Sequence, residues 1–205
     1  VTVAVGILGP RSAALLASAS GLPAVRRIAD AAWAGGAIPI LVPVGDGTGA
    51  IAAALAGSEA SVVTAGRTLG SLERAARKTV RGTSALILWP AAFPWIDAET
   101  VTMLIQAHGR DPRAIHRPSW EEAPGWPVLV PVGMPELAAL PLDPERLLAA
   151  LADHPVRLHP LGDPGVLHGP GRGPETLPTY RGPERPLEDP PEWGSLAGEH
   201  SATDR

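Results

Sequence analysis

Cysteine is absent from the 205 residues. That excludes a disulfide framework, a thiol nucleophile and any cysteine-ligated zinc, iron–sulfur or thiolate-haem site. Lysine occurs once, at Lys78, so every other basic residue is an arginine and chemistry needing an amine has one side chain to use. A basic excess is missing as well. The formal net charge is −4, which argues against a general nucleic-acid binder, because such proteins neutralise phosphates with surplus Lys and Arg. No stretch approaches the roughly 18–20 uninterrupted apolar residues of a membrane-spanning helix, so no membrane span is expected. The opening Val1-Thr2-Val3-Ala4-Val5-Gly6-Ile7-Leu8 carries no basic residue ahead of its apolar run. It reads as a strand and not as a secretion signal, and a cytoplasmic protein is the expectation.

Apolar residues make up 45% of the chain, enough for a sizeable core, and they come in short blocks. Val3–Leu8, Ala37–Val44, Ala60–Thr64 and Ser84–Trp89 are nearly continuous apolar runs bounded by glycine or proline, the signature of buried strands. Between them lie helical patterns over Pro23–Gly35, Gly49–Ala56 and Gly70–Val80. A further helix is predicted from Ala98 to His108 behind an Asp97 cap, and another from Asp143-Pro144 to about Ala152. Ala114–Arg117 and Val128–Val132 read as later strands, with Val156–Leu158 and Val166–His168 as weaker ones. Strands that alternate with helices and are apolar on both faces imply an α/β fold with a mostly parallel sheet. Such sheets take ligands at the carboxyl ends of their strands. That points to Gly9–Gly21, Gly45–Gly49, Gly66–Ser71 and Pro90–Asp97. One α/β domain is expected over residues 1–168. The 23 glycines and 24 prolines concentrate after Gly162. Residues 169–205, opening with Gly169-Pro170-Gly171-Arg172-Gly173-Pro174, are therefore expected to form an extended or disordered tail. The competing reading has the tail packing over the body through Leu177, Tyr180, Leu187 and Trp193.

The order and spacing of these pieces over residues 2–180 resemble the MobA-like NTP transferases, the family that transfers guanylyl or cytidylyl groups to molybdopterin. The best stretch is Leu86-Ile87-Leu88-Trp89-Pro90-Ala91-Ala92-Phe93-Pro94-Trp95-Ile96-Asp97-Ala98-Glu99-Thr100-Val101. It is similar to the family's strand, Asp-x-Pro segment and following helix. Ala114-Ile115-His116-Arg117-Pro118 with Gly125-Trp126-Pro127-Val128-Leu129 resembles a later strand–loop–strand of the family. Gly21-Leu22-Pro23 and Gly70-Ser71-Leu72 resemble two helix openings, and Asp163-Pro164-Gly165-Val166-Leu167-His168 resembles a strand leading to the last metal-binding segment. The resemblance implies a three-layer, Rossmann-like sheet of the nucleotide-diphospho-sugar transferase type. It also implies remnants of a nucleotide site at Leu8, Gly9, Arg11, Ser12, Gly70 and Ser71.

The departures from the family pattern fall on its chemistry. The triphosphate-cradling loop is shortened here to Leu8-Gly9-Pro10-Arg11-Ser12-Ala13-Ala14, with one glycine, one arginine and no lysine. Pro10 also removes a backbone donor. The family's magnesium-holding aspartate of Asp-x-Pro is matched by Ala92, and a methyl group cannot ligate a hard cation. No acid stands at the late metal segment, although Glu175 follows closely, and the family's His before a proline is replaced by Trp126. Phosphoryl transfer depends on positioning and charge neutralisation. The expectation is thus a degenerate transferase without a catalytic set or metal, acting as a binding or accessory protein for a protein partner, a nucleotide or a pterin, with a possible link to molybdenum cofactor. The alternative is an active, magnesium-dependent enzyme passing a nucleotidyl group from CTP or GTP to molybdopterin, with Asp97, Asp163 or Glu175 substituting at the metal.

Several residues carry a plainer reading beside the chemical one. Asp97 reads first as a helix N-cap and second as a displaced metal ligand. Arg11 could grip a phosphate or be solvated. Asp46, in Gly45-Asp46-Gly47-Thr48-Gly49, could contact a ribose or serve a glycine-rich turn. His108, His116, His154, His159 and His168 are dispersed in sequence without helical metal spacing, and structural or surface roles are expected for them. Trp89, Trp95, Trp120 and Trp126 are expected near the ligand mouth, either filling a vacated pocket or stacking on a flat heterocycle.

Overall fold

The computed structural model describes residues 1–9, 12–44 and 49–179. The readings placed on Arg11, Asp46, Tyr180, Leu187 and Trp193 lie outside the described residues.

Strand β1 (Thr2–Leu8) is the centre of the sheet, and from Val3 onward every residue is buried. That continuous burial requires cover on both faces. A short helix α1 (Ser12–Leu16) and a two-strand hairpin, β2 (Ser18–Ala19) with β3 (Leu22–Pro23), lead into α2 (Ala24–Ala34). Pro23 precedes the first helical residue, where its fixed φ costs nothing, and Val25, Ile28, Ala29 and Ala32 are buried at helical spacing. Strand β4 (Ile40–Val44), helix α3 (Gly49–Ala54) and strand β5 (Ala60–Thr64) follow. Then come α4 (Leu69–Thr79), β6 (Thr83–Pro90) and α5 (Ala98–Arg110). The second half contains β7 (Ile115–Trp120), β8 (Ala123–Pro124), β9 (Val128–Pro131), α6 (Pro144–Leu151) and β10 (Val156–Pro160).

The strand order is β10-β7-β9-β6-β1-β4-β5, with β8 paired to β7. Strands β5, β4, β1 and β6 are mutually parallel, β9 runs antiparallel between β6 and β7, and β10 is parallel to β7. The sheet is thus mostly parallel, as the alternating strand and helix blocks predict. The carboxyl ends of β1, β4, β5 and β6 share one edge. Helix α2 packs on β1 and β4 and meets α5, while Leu72 of α4 lies against Gly6 of β1, where a Cβ would overlap its Cδ2 atom.

Two expected strands differ from the structure. The second is regular only from Ile40. Before it, Ile38 N–H donates to the Val3 carbonyl at 2.8 Å and the Pro39 carbonyl accepts from Val5 N–H at 2.8 Å, so pairing to β1 begins irregularly around a proline that has no N–H to give. Val166–His168 is not a strand. Residues Pro164–Val166 form a 3-10 turn whose first carboxylate, Asp163, accepts from Gly165 N–H. Asp-Pro opens this turn for the same reason it opens α6, where Asp143 accepts from Arg146 N–H. Among the described residues no helix is long and apolar enough to cross a membrane.

Candidate functional site

The carboxyl edge of the sheet is where the expected nucleotide-contacting positions fall. Leu8 is buried and its carbonyl accepts from Ala91 N–H at 2.7 Å, which joins the ends of β1 and β6. Gly9 passes so close to α1 that a Cβ there would sit 2.7 Å from Leu15 Cγ. Ser12 is exposed at the start of α1. Gly70 and Ser71 occupy the first turn of α4. Gly70 N–H donates to the Ala138 carbonyl at 2.9 Å, and a Cβ at Gly70 would press on Ala138. The Ser71 hydroxyl donates to the Gly66 and Thr68 carbonyls and accepts from Thr68 N–H, closing a capping box with Thr68. Both residues therefore have a structural use at the helix start. Leu8, Gly9 and Ser12 follow one another at the end of β1, and Gly70 and Ser71 lie after the end of β5, at the start of the helix whose Leu72 packs on Gly6 of β1.

Past the end of β6 the backbone runs Ala91-Ala92-Phe93-Pro94-Trp95-Ile96 before Asp97 caps α5. Asp97 accepts from Glu99 N–H at 2.9 Å, as its cap reading requires. Asp163 is the buried carboxylate of this region, 2% exposed. Its Oδ2 accepts from Asp97 N–H at 2.9 Å and from the Thr100 hydroxyl at 2.7 Å, and its Oδ1 accepts from Gly165 N–H at 2.8 Å. Burial raises its pKa above the ordinary carboxylate value, the three hydrogen bonds partly offset that, and the Asp97 charge adds to the rise. Asp163 thus ties the first turn of α5 to the 164–166 turn. Glu175 is exposed, and its carboxylate folds back toward Gly173 on its own turn. The late segment also touches the body: Trp95 Nε1–H donates to the Arg172 carbonyl at 3.1 Å, and His168 Nε2 lies 2.9 Å from the Gly173 carbonyl.

The tryptophans serve different ends. Trp89 is fully buried in β6 and donates its Nε1–H to the Phe93 carbonyl at 2.9 Å. Trp126 is buried and meets the Phe93 ring at 6.2 Å between centroids. Trp120 is half-buried against the core. These three fill space, while Trp95 stands at the surface with the Arg27 guanidinium 4.6 Å over its ring.

The fold also gathers histidines that the sequence disperses. His108 of α5, His116 of β7 and His159 of β10 meet at one place. His116 Nδ1 is 2.9 Å from His159 Nε2, and its Nε2 is 2.9 Å from the Asp111 carbonyl. A carbonyl only accepts, so His116 carries its proton on Nε2 and His159 donates to its Nδ1. His108 Nε2 is 3.2 Å from the Ser84 hydroxyl, which itself donates to the Thr2 carbonyl, so His108 Nδ1 is the unprotonated nitrogen. It is buried without a partner among the described residues. Burial first, then the neighbouring His116, lowers the pKa of His108 below 6.5, against a smaller opposing pull from Asp111. Burial, His116 and Arg110 lower that of His159.

The sign of the consequence follows from linkage. Below pH 6.5 the unfolded chain binds protons at these positions that the folded chain refuses, so stability falls as pH drops through this window. The slope is at most about 1.4 kcal/mol per pH unit for each histidine. Asp163 acts oppositely: its folded carboxyl takes up a proton above 3.8, before the unfolded one does, so its contribution to stability rises as pH falls through the raised folded pKa toward 3.8. Urea unfolding midpoints are therefore expected to hold above pH 7 and to decline from pH 6.5 to 5, with a shallower decline in His108→Leu. A midpoint that rises on acidification would contradict the assignment.

The sheet order, with β9 antiparallel inside a mostly parallel set, is the Rossmann-like α/β arrangement of the nucleotide-diphospho-sugar transferase type. The solved structures that share it include the Rv0371c protein of Mycobacterium tuberculosis H37Rv, crystallised with manganese. It is 22% identical, with a TM-score of 0.61 over 78% of this chain and 87% of that one. A nucleotidyl transferase from Methanothermobacter is 13% identical, with a TM-score of 0.60 over 82% of this chain and 90% of that one. A CMP:2-keto-3-deoxy-manno-octonic acid synthetase complexed with CTP is 14% identical, with a TM-score of 0.52 over 78% and 89%. At these identities the likeness establishes the fold. No family model and no curated protein sequence matches the chain.

Proposed function

We propose that this protein is a nucleotidyltransferase-fold binding or accessory protein without metal-dependent nucleotidyl transfer. One observation carries the reading: the carboxylates nearest the end of β6 are committed to structure. Ala91 and Ala92 supply no oxygen donor there. Asp97 holds the first turn of α5, and Asp163 has three donors on its two oxygens within the buried core. Among the described residues no group of three His, Cys, Asp or Glu side chains is arranged to hold a metal ion. A magnesium ion of the kind the fold family implies wants several oxygen ligands, and the donor set at the end of β6 does not fit one. Freeing Asp163 to ligate a cation would leave the Asp97 and Gly165 amides and the Thr100 hydroxyl without their acceptor.

The ligand side of the proposal rests on the fold. One relative carries CTP and another was crystallised with manganese, so a nucleotide is the first class to test. The MobA-like motifs add a pterin, or a protein of molybdenum-cofactor metabolism, as the finer part of the proposal. A thermal-shift series with CTP, GTP and ATP, each with and without magnesium, tests it together with a pyrophosphate-release assay. The expected result is no magnesium-dependent rise in Tm and no pyrophosphate above a no-protein control. Magnesium-dependent pyrophosphate release from any of the three would overturn the proposal and restore an active transferase.

A further inference from the structure

A cleft of about 310 Å³ opens between α2 and the segment that enters α5. Its apolar walls come from Leu22, Ala31 and Pro94, and its charged groups are Arg27, Asp30 and Asp97. Two of those three charges are already balanced. Asp30 pairs with Arg26, Nε to Oδ1 at 2.9 Å. Asp97 spends one oxygen on Glu99 N–H at the positive end of α5. Arg27 is different. Its guanidinium carbon lies over the Trp95 ring, 4.6 Å from the ring centre, and among the described residues it has no carboxylate and no hydrogen-bond acceptor. A cation–π contact consumes none of the guanidinium N–H donors, and a carboxylate can accept two of them at once. Trp95 is itself held by its bond to the Arg172 carbonyl, so the platform under Arg27 is fixed.

We propose that this cleft is a binding site for a small monocarboxylate, with Arg27 on the carboxylate and the apolar body of the ligand against Leu22, Ala31 and Pro94. The charge balance selects the class. One unmatched positive charge suits one negative charge, and Asp30 and Asp97 repel a polyphosphate. The volume agrees, since it lies at the lower end of small-molecule sites. The cleft shares Pro94, Trp95 and Asp97 with the segment that follows β6, but none of Leu8, Gly9, Ser12, Gly70 and Ser71 lines it, so the carboxylate reading rests on Arg27 and not on the nucleotide positions.

Benzoate is the probe, with benzamide as its uncharged isostere, read by the Trp95 indole N–H resonance in a proton–nitrogen spectrum and assigned as the signal lost in Trp95→Phe. Benzoate is expected to shift this resonance saturably, with benzamide and the Arg27→Gln variant each at least about tenfold weaker, the scale for losing a charge-assisted contact. Arg27→Lys keeps the charge without the planar fork and is expected to fall between. An absent benzoate shift, or an equal one from benzamide, overturns the proposal without reference to any variant. So does an unchanged response in folded Arg27→Gln. Nucleotides titrated in parallel separate the two readings: failure of CTP and GTP to bind leaves the benzoate result standing, and competition between a nucleotide and benzoate overturns the separateness of this cleft.

Discussion

Asp163→Ala is expected to lower the unfolding free energy by about 3–5 kcal/mol, the range of mutations that strand several buried donors at once. The Asp97 and Gly165 amides and the Thr100 hydroxyl all lose their acceptor in a place that is 2% exposed. Urea denaturation of the variant and the parent measures the difference directly. Asp163→Asn is the informative companion. Its single carbonyl oxygen can keep the two donors on Oδ2, while its amide group would face Gly165 N–H, another donor. A loss of about 1–2 kcal/mol is expected for it, one buried hydrogen bond left unmade. If alanine costs no more than asparagine, the three-way latch is not what joins α5 to the 164–166 turn. Because Asp163 is also one of the carboxylates named for an active transferase, a stability loss in the absence of metal reads its structural role separately from any catalytic one.

Gly165→Ala is expected to cost about 3 kcal/mol or more, at or beyond the upper end of overpacking changes. A Cβ at this position would overlap the Trp95 carbonyl oxygen and stand 2.6 Å from its carbonyl carbon. Backbone on both sides cannot step aside as a side chain can. Gly6→Ala makes the contrast. There the added methyl meets the tip of Leu72 in α4, a flexible end that can turn away, so a smaller loss of about 1–2 kcal/mol is expected. Thermal unfolding of the two variants ranks them. The opposite ranking would mean that the loop bearing Trp95 yields more readily than the packed helix α4.

Much of the fold was legible because its signals are local. Val3–Leu8 and Ser84–Trp89 are apolar at every position, and only a strand covered on both faces uses such a run. Asp97 and Asp143 announced two helix starts by side chains that reach no further than the next turn. The same chemistry at Asp163-Pro164 was open to reading too, and was obscured by the apolar Val166-Leu167 that follows, which suggests a strand until the close approach of Gly165 to Trp95 is seen.

The sequence by itself determined the order of strands and helices, the poverty of amines and thiols, and the pair of alanines, Ala91 and Ala92, that follows β6. These depend on residue type and on neighbours within a few positions. Tertiary structure alone decided that Asp163 is spent on α5, that His108, His116 and His159 share one buried hydrogen-bonded cluster, and that Arg27 lies open on Trp95 beside a cleft. Each of these joins residues 43 to 68 positions apart, a separation across which no local period or cap carries information. The pairing of β10 with β7 brings His159 to His116, and the packing of α2 against α5 brings Arg27 to Trp95.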